Sequence, residues 1–210
     1  RAVSLAAIKN NISKVVLISS DKAVRPTNIM GVTKLFSELI VMQLSSQSNC
    51  KTIFSTVRFG NVIDSSGSVI PLFRNQIKSG GPLTITHPEM ERYFMTISEA
   101  VNLVLEASVI MNGGETFILD MGKRIKIIEL AKNMIISSGL EPRTNKNKKG
   151  NIEIKITGIR PGEKIKEELI INGYKEKTSH PLINVAREKL NIPNNFINNI
   201  NEIISSIENN

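Results

Sequence analysis

Three consecutive side chains, Ser20, Asp21 and Lys22, supply a hydroxyl, a carboxylate and an amine at one point of the chain. Groups of these types exchange protons with a substrate when they are held within hydrogen-bonding reach of it. A second amine follows at Lys34. An aspartate beside a lysine after a strand is also typical of a simple turn, so the interpretation depends on what positions these side chains.

The run before this tripeptide predicts a strand that ends in a site. Val15–Ile18 is apolar and rich in β-branched residues, which is typical of a strand buried on both faces of a parallel sheet. A second strand-like run, Thr52–Val57, leads directly into Arg58 and Asn61. Because ligands bind outside the carboxyl ends of the strands in such sheets, we expect Asn61 to lie at the same edge as Asp21.

The segment after the tripeptide predicts a helix that presents Lys34 to this edge. Thr27 or Asn28 can cap the helix. Met30 and Lys34 are one helical turn apart and therefore share a face, which looks back towards the strand end. Glu38 is expected on the solvent side of the same helix.

Periodicity and turn residues predict the remaining elements. Helices are predicted over 30–44, 69–79, 98–111, 127–138 and within 191–210, and further strands over 83–86, 116–120 and 152–156. Ser98 is expected to cap the helix over 98–111. Helices that alternate with strands indicate an α/β fold.

The composition favours a soluble globular protein and argues against a nucleic-acid-binding one. The 210 residues are 40% hydrophobic and 22% charged, with a net charge of +8. Aromatic residues make up only 4% and tryptophan is absent, so no stacking platform accompanies the positive charge. The basic run Lys146–Lys149 is interpreted as a solvated loop.

Cysteine content and hydropathy exclude further classes. A single cysteine, Cys50, excludes an internal disulfide framework and a Cys-rich zinc site, and we expect no metal. No apolar run reaches the roughly 18 residues that a membrane-spanning helix needs. This segment is therefore expected to lie in the cytoplasm without contacting the membrane.

Several motifs occur in an order that carries a resemblance. They are Ser20–Lys22 with Met30 and Lys34, Arg58–Val62, Gly67–Phe73, His87–Met90, Arg92–Met95 and Arg160–Lys164. This order resembles the extended short-chain dehydrogenase/reductase superfamily, where the position of Met30 is usually a tyrosine in a Tyr-x-x-x-Lys pair. The methionine, with the residues before it, is similar to the capsular-polysaccharide (CapD-like) dehydratase family that acts on UDP-N-acetylglucosamine.

The resemblance implies a catalytic role for each residue of the first motif. Asp21 and Lys22 are implied as the acid–base pair, with Lys22 removing the C5 proton and Asp21 serving the hydroxyls, although the sequence does not decide which proton each carries. Ser20 would orient the C4 hydroxyl. Lys34 would hold the nicotinamide ribose. Met30 cannot move protons, so the usual role of the tyrosine must pass to Asp21 or to water.

The resemblance also implies binding residues for a cofactor and a substrate. A tightly bound NAD, recycled in each turnover, is expected on Ser20, Lys34 and Arg58, and a UDP-sugar on Asn61, Val69, Ile70, Pro71, Arg92, Arg160 and Glu163. Arg92 is equally consistent with a surface salt bridge. The Pro161–Gly162 pair is also typical of a plain tight turn.

The fold implied is the C-terminal part of a Rossmann-type doubly wound parallel sheet with a smaller α/β substrate-binding subdomain. Residues 1–63 are assigned to the NAD-binding domain, 64–190 mainly to the nucleotide-sugar subdomain with 97–120 returning to the sheet, and 191–210 to a C-terminal helix. The Gly-rich turn that binds the cofactor pyrophosphate is not found, so we expect a longer parent, compatible with an inner-membrane anchor facing the cytoplasm. A homo-oligomer is expected.

Two other functions remain open on the sequence. A nucleotide-sugar 4-epimerase shares the oxidation at C4, but it normally needs the tyrosine and has no use for the Asp21–Lys22 pair. A non-catalytic module that binds nucleotide sugars or nucleic acid would show salt-sensitive binding and no product.

Overall fold

The computed structural model describes residues 1–46, 50–144, 147–189, 192–193 and 195–208. Lys146 of the basic run, and Asn191, Asn194, Asn209 and Asn210 of the predicted terminal helix, lie outside the described residues. The helices are α1 (Ala2–Lys9), α2 (Ile29–Ser45), α3 (Val69–Lys78), α4 (Ile97–Ile110), α5 (Ile127–Ser137) and α6 (Phe196–Glu208), with a single 3-10 turn at Asp21–Ala23. The strands are β1 (Lys14–Ile18), β2 (Ile53–Arg58), β3 (Asn61–Val62), β4 (Leu83–Ile85), β5 (Glu91–Arg92), β6 (Phe94–Met95), β7 (Thr116–Leu119), β8 (Ile125–Lys126), β9 (Pro142–Arg143), β10 (Ile152–Ile156), β11 (Gly173–Lys177) and β12 (Ile183–Glu188).

A five-stranded sheet in the order β1-β2-β7-β12-β11 forms the larger layer. β1, β2 and β7 are parallel, and helices cover both faces of this part of the sheet. Phe54 and Val57 of β2 point to opposite faces because their spacing is odd. Phe54 packs with Leu44 of α2, whereas Val57 packs with Leu103 of α4. The predicted Rossmann-type α/β fold is thereby confirmed.

Two features of this sheet differ from the sequence-based expectation. β1 is the outer strand and only half-buried, because within the described chain it pairs with β2 alone. β11 and β12 were not predicted, and they add to β7 in antiparallel pairing, so the stretch 173–188 joins the large sheet and not the smaller subdomain. All five residues of β11 are exposed, which leaves no apolar alternation for the sequence to show.

A smaller layer is built on the parallel sheet β4-β10-β9 with α3 and α5 packed against it. Its core includes the fully buried side chains Phe73, Leu83, Ile135 and Ile152. β4 is an edge strand, as predicted. Two further short strand pairs, the parallel β3–β6 and the antiparallel β5–β8, form outside the two larger sheets.

The starts of α2 and α4 are fixed by side-chain caps. Asn28 Oδ1 accepts a hydrogen bond of 2.8 Å from the Gly31 amide and caps α2, in agreement with the sequence. α4 is capped by Thr96 and not by Ser98: its hydroxyl accepts from the Glu99 amide, and the Glu99 carboxylate accepts in return from the Thr96 amide. This reciprocal capping box sets the helix start two residues earlier than expected.

A buried ion cluster joins α2, β2 and β12. The guanidinium of Arg58 donates to both carboxylate oxygens of Glu38, at 2.9 and 2.6 Å, and to Glu188 at 2.7 Å. Burial alone would lower the pKa of Arg58, but the hydrogen bonds and charges of Glu38 and Glu188 raise this pKa above its ordinary value. Glu38 is 1% exposed, so its expected position on the solvent side was wrong.

Breaking this cluster is expected to destabilise the protein strongly. Glu38→Gln keeps the shape of the side chain but removes one of the charges that compensate the buried Arg58. We expect the free energy of unfolding to fall by about 3 kcal/mol, measured by urea denaturation. Glu176→Gln, which breaks the exposed pair with Arg187, is the matched control and is expected to leave the urea midpoint unchanged. Equal midpoints for the two variants would contradict a structural role of the cluster.

Candidate active site

The Ser20–Lys22 tripeptide forms a tight turn at the carboxyl end of β1. Ser20 precedes the single 3-10 turn, and its hydroxyl oxygen accepts a hydrogen bond from the Lys22 amide at 3.3 Å. The Asp21 amide donates to the carbonyl of Phe59, which follows β2. The turn follows β1 in the chain and is hydrogen-bonded to the residue after β2. It is therefore fixed at the sheet edge where ligands bind in α/β proteins.

Four side chains at this edge form one hydrogen-bonded group. Ser20 Oγ donates to Asp21 Oδ1 at 2.9 Å, and Lys22 Nζ contacts the same oxygen at 2.9 Å. Lys22 Nζ also donates to Asn61 Oδ1 at 3.2 Å. The structure thus brings together the hydroxyl, carboxylate and amine of the tripeptide with Asn61, as the parallel strands predicted.

The second carboxylate oxygen of Asp21 is unusual. The side chain of Asp21 is fully buried, and Oδ2 has no hydrogen-bond partner among the described residues. Buried polar atoms are almost always paired, so an unpaired one at the end of a strand marks a position where a further donor or acceptor is expected. This oxygen is the uncommitted acceptor of the group.

Helix α2 approaches the turn closely. Lys34 Nζ lies 3.4 Å from the carbonyl oxygen of Ile18, at the end of β1. Gly31 packs against the main chain of Lys22: a Cβ at this glycine would lie 2.4 Å from the Lys22 carbonyl oxygen. Met30 is 48% exposed on the same helix and carries no group that moves protons. The position usually filled by tyrosine therefore contributes surface but no acid or base.

A cavity of about 560 Å³ opens beside Asn61, and residues of α3, β4 and the stretch 157–163 form much of its wall. Five of the seven predicted substrate-binding residues line it: Asn61, Val69, Arg92, Arg160 and Glu163. Ile70 and Pro71 lie on the first turn of α3 but are not among the lining residues. The sequence did not single out Thr86 or Thr157, which add hydroxyls to the wall.

Arg160 and Glu163 present opposite charges to this cavity. The guanidinium of Arg160 is exposed and has no hydrogen-bond or ion-pair partner among the described residues. Glu163 is held in place, because Oε1 accepts from the Thr86 hydroxyl at 3.0 Å and Oε2 from the Arg160 amide at 3.1 Å. A free guanidinium at a concave surface suits phosphate oxygens, which it can bind in pairs.

Arg92 has a different geometry from either of its predicted roles. Its side chain is almost fully buried, and its guanidinium donates to the carbonyls of Glu91, Lys164 and Ile165. It lies 3.9 Å from the carboxylate of Glu167, and this pair is also buried. Arg92 therefore lines the cavity while it anchors the chain at 164–165, and the surface salt bridge is not found.

Arg58 is not placed to bind a cofactor through its side chain. All of its observed hydrogen bonds go to Glu38, Glu188 and the carbonyl of Leu169, and its guanidinium is fully buried. The expectation for Arg58 is corrected accordingly: the residue holds the fold behind the site. The sequence feature that could have indicated this role is the charged Glu38 on α2, which the helical pattern assigned to the solvent side.

Other candidate sites in the described chain offer less chemistry. A second cavity of about 640 Å³ is lined by Glu99, Glu106, Asp120 and His180 together with apolar residues of α4 and of the end of β7.

The described ranges contain no cluster of three metal-ligating side chains. Likewise, none of the helices described is long and apolar enough to cross a bilayer. His87 Nδ1 accepts from the Glu89 amide, which is a turn contact and not a catalytic one.

Curated proteins with similar sequences include two named for polysaccharide biosynthesis. "Capsular polysaccharide biosynthesis protein CapD" of Staphylococcus aureus is 55% identical over 168 residues, and "Probable polysaccharide biosynthesis protein EpsC" of Bacillus subtilis is 52% identical over 168 residues. Each match covers 80% of this chain and 27% of the relative. A "UDP-glucose 4-epimerase" of Rickettsia canadensis is 42% identical over 167 residues, which cover 79% of this chain and 46% of that protein. The chain therefore spans between about a quarter and a half of these relatives.

Solved structures share the fold. The X-ray structure of Pen from Bacillus thuringiensis superposes with a TM-score of 0.77 at 40% identity, over 90% of this chain and 56% of that chain. DesIV from Streptomyces venezuelae, a dTDP-glucose 4,6-dehydratase solved with NAD bound, has a TM-score of 0.66 at 16% identity, over 79% and 53% of the two chains. The second likeness is one of fold alone.

A family model described as "Polysaccharide biosynthesis protein" matches residues 1–188. This match includes the Ser20–Lys22 turn, Asn61, the cavity and the Arg160–Lys164 turn. It ends at the last residue of β12 and covers most of the chain. The chain therefore belongs to the polysaccharide biosynthesis protein family.

Proposed function

We propose that this chain is the acid–base and substrate-binding part of an NAD-dependent nucleotide-sugar 4,6-dehydratase. The substrate proposed is UDP-N-acetylglucosamine, and the product a UDP-4-keto-6-deoxy sugar for a bacterial surface polysaccharide or glycan. The observation that carries the proposal is the Ser20–Asp21–Lys22–Asn61 group, which contains the unpaired, buried Asp21 Oδ2 and reaches the cavity wall through Asn61. We propose that the reaction takes place in the cytoplasm.

The residues at the sheet edge fit a nicotinamide cofactor. Lys34 and Ser20 are the side chains that would hold it, because Lys34 contacts the last residue of β1 and Ser20 contacts the Asp21 carboxylate just after that strand. When bound, NAD would accept a hydride from C4 of the sugar and return it at C6. The Arg58 side chain takes no part in this binding.

The proton chemistry follows from the arrangement of the turn. A ketone at C4 makes the C5 proton acidic, so water can leave from C5 and C6 only after C4 has been oxidised. Lys22 Nζ, held between Asp21 Oδ1 and Asn61 Oδ1, is the group we assign to the C5 proton, which it takes during elimination and returns to C5 when hydride is added at C6. Asp21 Oδ2 would take the proton of the C4 hydroxyl during oxidation and give it to the C6 hydroxyl, which leaves as water. Ser20 Oγ, which donates to Asp21 Oδ1, keeps the carboxylate in this orientation.

The cavity is the proposed site of the nucleotide diphosphate. Arg160 supplies the free guanidinium, while Asn61 connects the cavity wall to Lys22 through one hydrogen bond. A volume of about 560 Å³ is ample for a nucleotide sugar to enter in part, since ligand pockets commonly span 300–1,000 Å³. The sugar would then reach the turn while the diphosphate remains at Arg160.

A 4-epimerase is the second candidate. The relative named UDP-glucose 4-epimerase supports it, at 42% identity over most of this chain. The geometry favours elimination instead. An epimerase needs only one group, which moves the C4 hydroxyl proton, and the Lys22 amine would then have no role in the reaction. The products distinguish the two reactions directly.

We expect the full-length protein that carries this chain to convert UDP-N-acetylglucosamine into a 4-keto-6-deoxy sugar with no net formation of NADH. Proton and carbon NMR of the sugar during turnover would show a new C6 methyl group and the loss of the C4 proton. A C4 epimer with an intact C6 hydroxymethyl group would contradict the dehydratase and support the epimerase.

Asp21→Asn and Lys22→Ala are each expected to lower kcat by about 10²- to 10⁴-fold, because each removes a group that transfers a proton in the transition state. The measurement is the initial rate of the same NMR or coupled assay at saturating substrate. Asp64→Asn, which breaks an exposed pair with Arg74, and Lys132→Ala, which breaks one with Glu129, are the matched controls. Wild-type turnover in both site variants would exclude the assignment of these two residues.

A further inference from the structure

The Arg160–Lys164 turn has two faces, and only one of them belongs to the cavity. Arg160 and Glu163 line the cavity, whereas Gly162 and Lys164 contact the loop that connects the Ser20–Lys22 turn to α2. These two segments are far apart in the sequence. Their contacts therefore tie the substrate-binding turn directly to the residues that carry the chemistry.

The first tie is made at the carbonyl of Gly162. It accepts hydrogen bonds from Thr27 Oγ1 at 2.7 Å and from Asn28 Nδ2 at 3.0 Å. Gly162 has a φ of 75°, and a Cβ at this position would lie 2.7 Å from the carbonyl oxygen of Thr27. Only glycine allows the two segments to approach this closely.

The second tie is made by Lys164, which the sequence did not single out for a role of its own. Its Nζ donates to the carbonyl oxygen of Val24 at 2.6 Å. Val24 is fully buried, and its amide donates to the carbonyl of Asp21, which closes the 3-10 turn that carries Asp21 and Lys22. The Lys164 ammonium therefore binds the carbonyl of the residue that ends the 3-10 turn.

The main chain of Lys164 is itself fixed. Arg92 donates to the carbonyl of Lys164 at 2.7 Å and to that of Ile165 at 2.9 Å. The Lys164 side chain is only 17% exposed, and the carboxylate of Glu167 lies 3.7 Å from its ammonium. With both ends held, this side chain acts as a short rigid strut and not as a flexible surface lysine.

We propose that Lys164 is a positioning residue that sets the geometry of Asp21 and Lys22 by holding the Val24 carbonyl. The proposal rests on the proposed function for its catalytic consequence. Without the ammonium, the Val24 carbonyl is left buried without a partner among the described residues, and the turn relaxes to satisfy it. A shift well below 1 Å at Asp21 is enough to slow proton transfer, because catalysis depends steeply on the approach of the reacting atoms.

Substitutions on the two faces of the turn should affect different kinetic constants. Lys164→Met keeps the aliphatic stem and removes the ammonium, and we expect kcat to fall about 10- to 100-fold, the range for losing a charged hydrogen bond, with KM little changed. Arg160→Met acts on the opposite face, and we expect it to raise KM for the nucleotide sugar with kcat little changed. Lys132→Met on α5 is the matched lysine control and should leave both constants unchanged.

Thr27→Val tests the same coupling at an exposed position, so it does not depend on whether Lys164→Met folds. It removes one hydrogen bond to the Gly162 carbonyl and is expected to lower kcat by about 3- to 10-fold, again with KM little changed. An unchanged kcat in both Lys164→Met and Thr27→Val, or a rise in KM in place of a fall in kcat, would overturn the proposal.

A measurement independent of turnover separates this proposal from the proposed function. Hydrogen exchange of the Ala23 and Val24 amides should accelerate in Lys164→Met and remain as in the wild type in Arg160→Met. If the wild-type protein forms a C4 epimer, or converts no nucleotide sugar, the dehydratase assignment fails while this exchange pattern still supports the strut. Equal exchange in wild type and Lys164→Met excludes the strut whatever reaction is found.

Discussion

The buried guanidinium of Arg58 is the constraint on which the arrangement of the site depends. It lies between Glu38 of α2 and Glu188 of β12, and it also donates to the carbonyl of Leu169. An isolated charge at such a position would be very costly, whereas two carboxylates and a carbonyl satisfy it. Of the elements that meet at Arg58, α2 carries Lys34 and β2 leads into Asn61, while Leu169 belongs to the chain after Lys164. The cluster therefore fixes the back of the candidate site.

The sequence was sufficient for the parts of the site that follow from strand geometry. Val15–Ile18 and Thr52–Val57 form parallel neighbours, so Asp21 and Asn61 had to reach the same edge, and Lys22 bridges them. The cap of α2 at Asn28 and the edge strand near Leu83 were equally local and were predicted, whereas the cap of α4 was expected at Ser98 and lies at Thr96. What the pattern of residue types did not contain was the pairing of Glu38 with Arg58, because a charged residue on a helix gives no sign of a partner that only tertiary packing supplies. β11 and β12 were missed for a related reason, since the exposed β11 is stabilised by pairing with β12 and not by an apolar face.

The residues expected to contact the substrate divide into two kinds in the structure. Arg160 is free and exposed to the cavity, as a residue that binds a diphosphate needs to be, whereas Arg92 is committed to main-chain carbonyls. Two arginines in neighbouring motifs therefore have different tasks, and only their surroundings distinguish them. Arg92 fixes the chain from which Lys164 reaches Val24. In the proposed function, the binding face and the catalytic face of this turn are thereby parts of one rigid unit.

The methionine at position 30 explains why the proposed function needs a rigid turn. In the superfamily that the chain resembles, a tyrosine at this position supplies a proton-carrying group from α2, and Met30 supplies none. Within the Ser20–Asp21–Lys22–Asn61 group, Asp21 Oδ1 is already occupied by Ser20 and Lys22, which leaves Oδ2 as the uncommitted oxygen. In the proposed function, the acid–base groups lie on a three-residue turn and not on a helix, so that turn must be placed precisely. A turn of this length has few bonds of its own, so the contacts from Phe59, Gly31 and Lys164 supply the placement that a helix would otherwise provide.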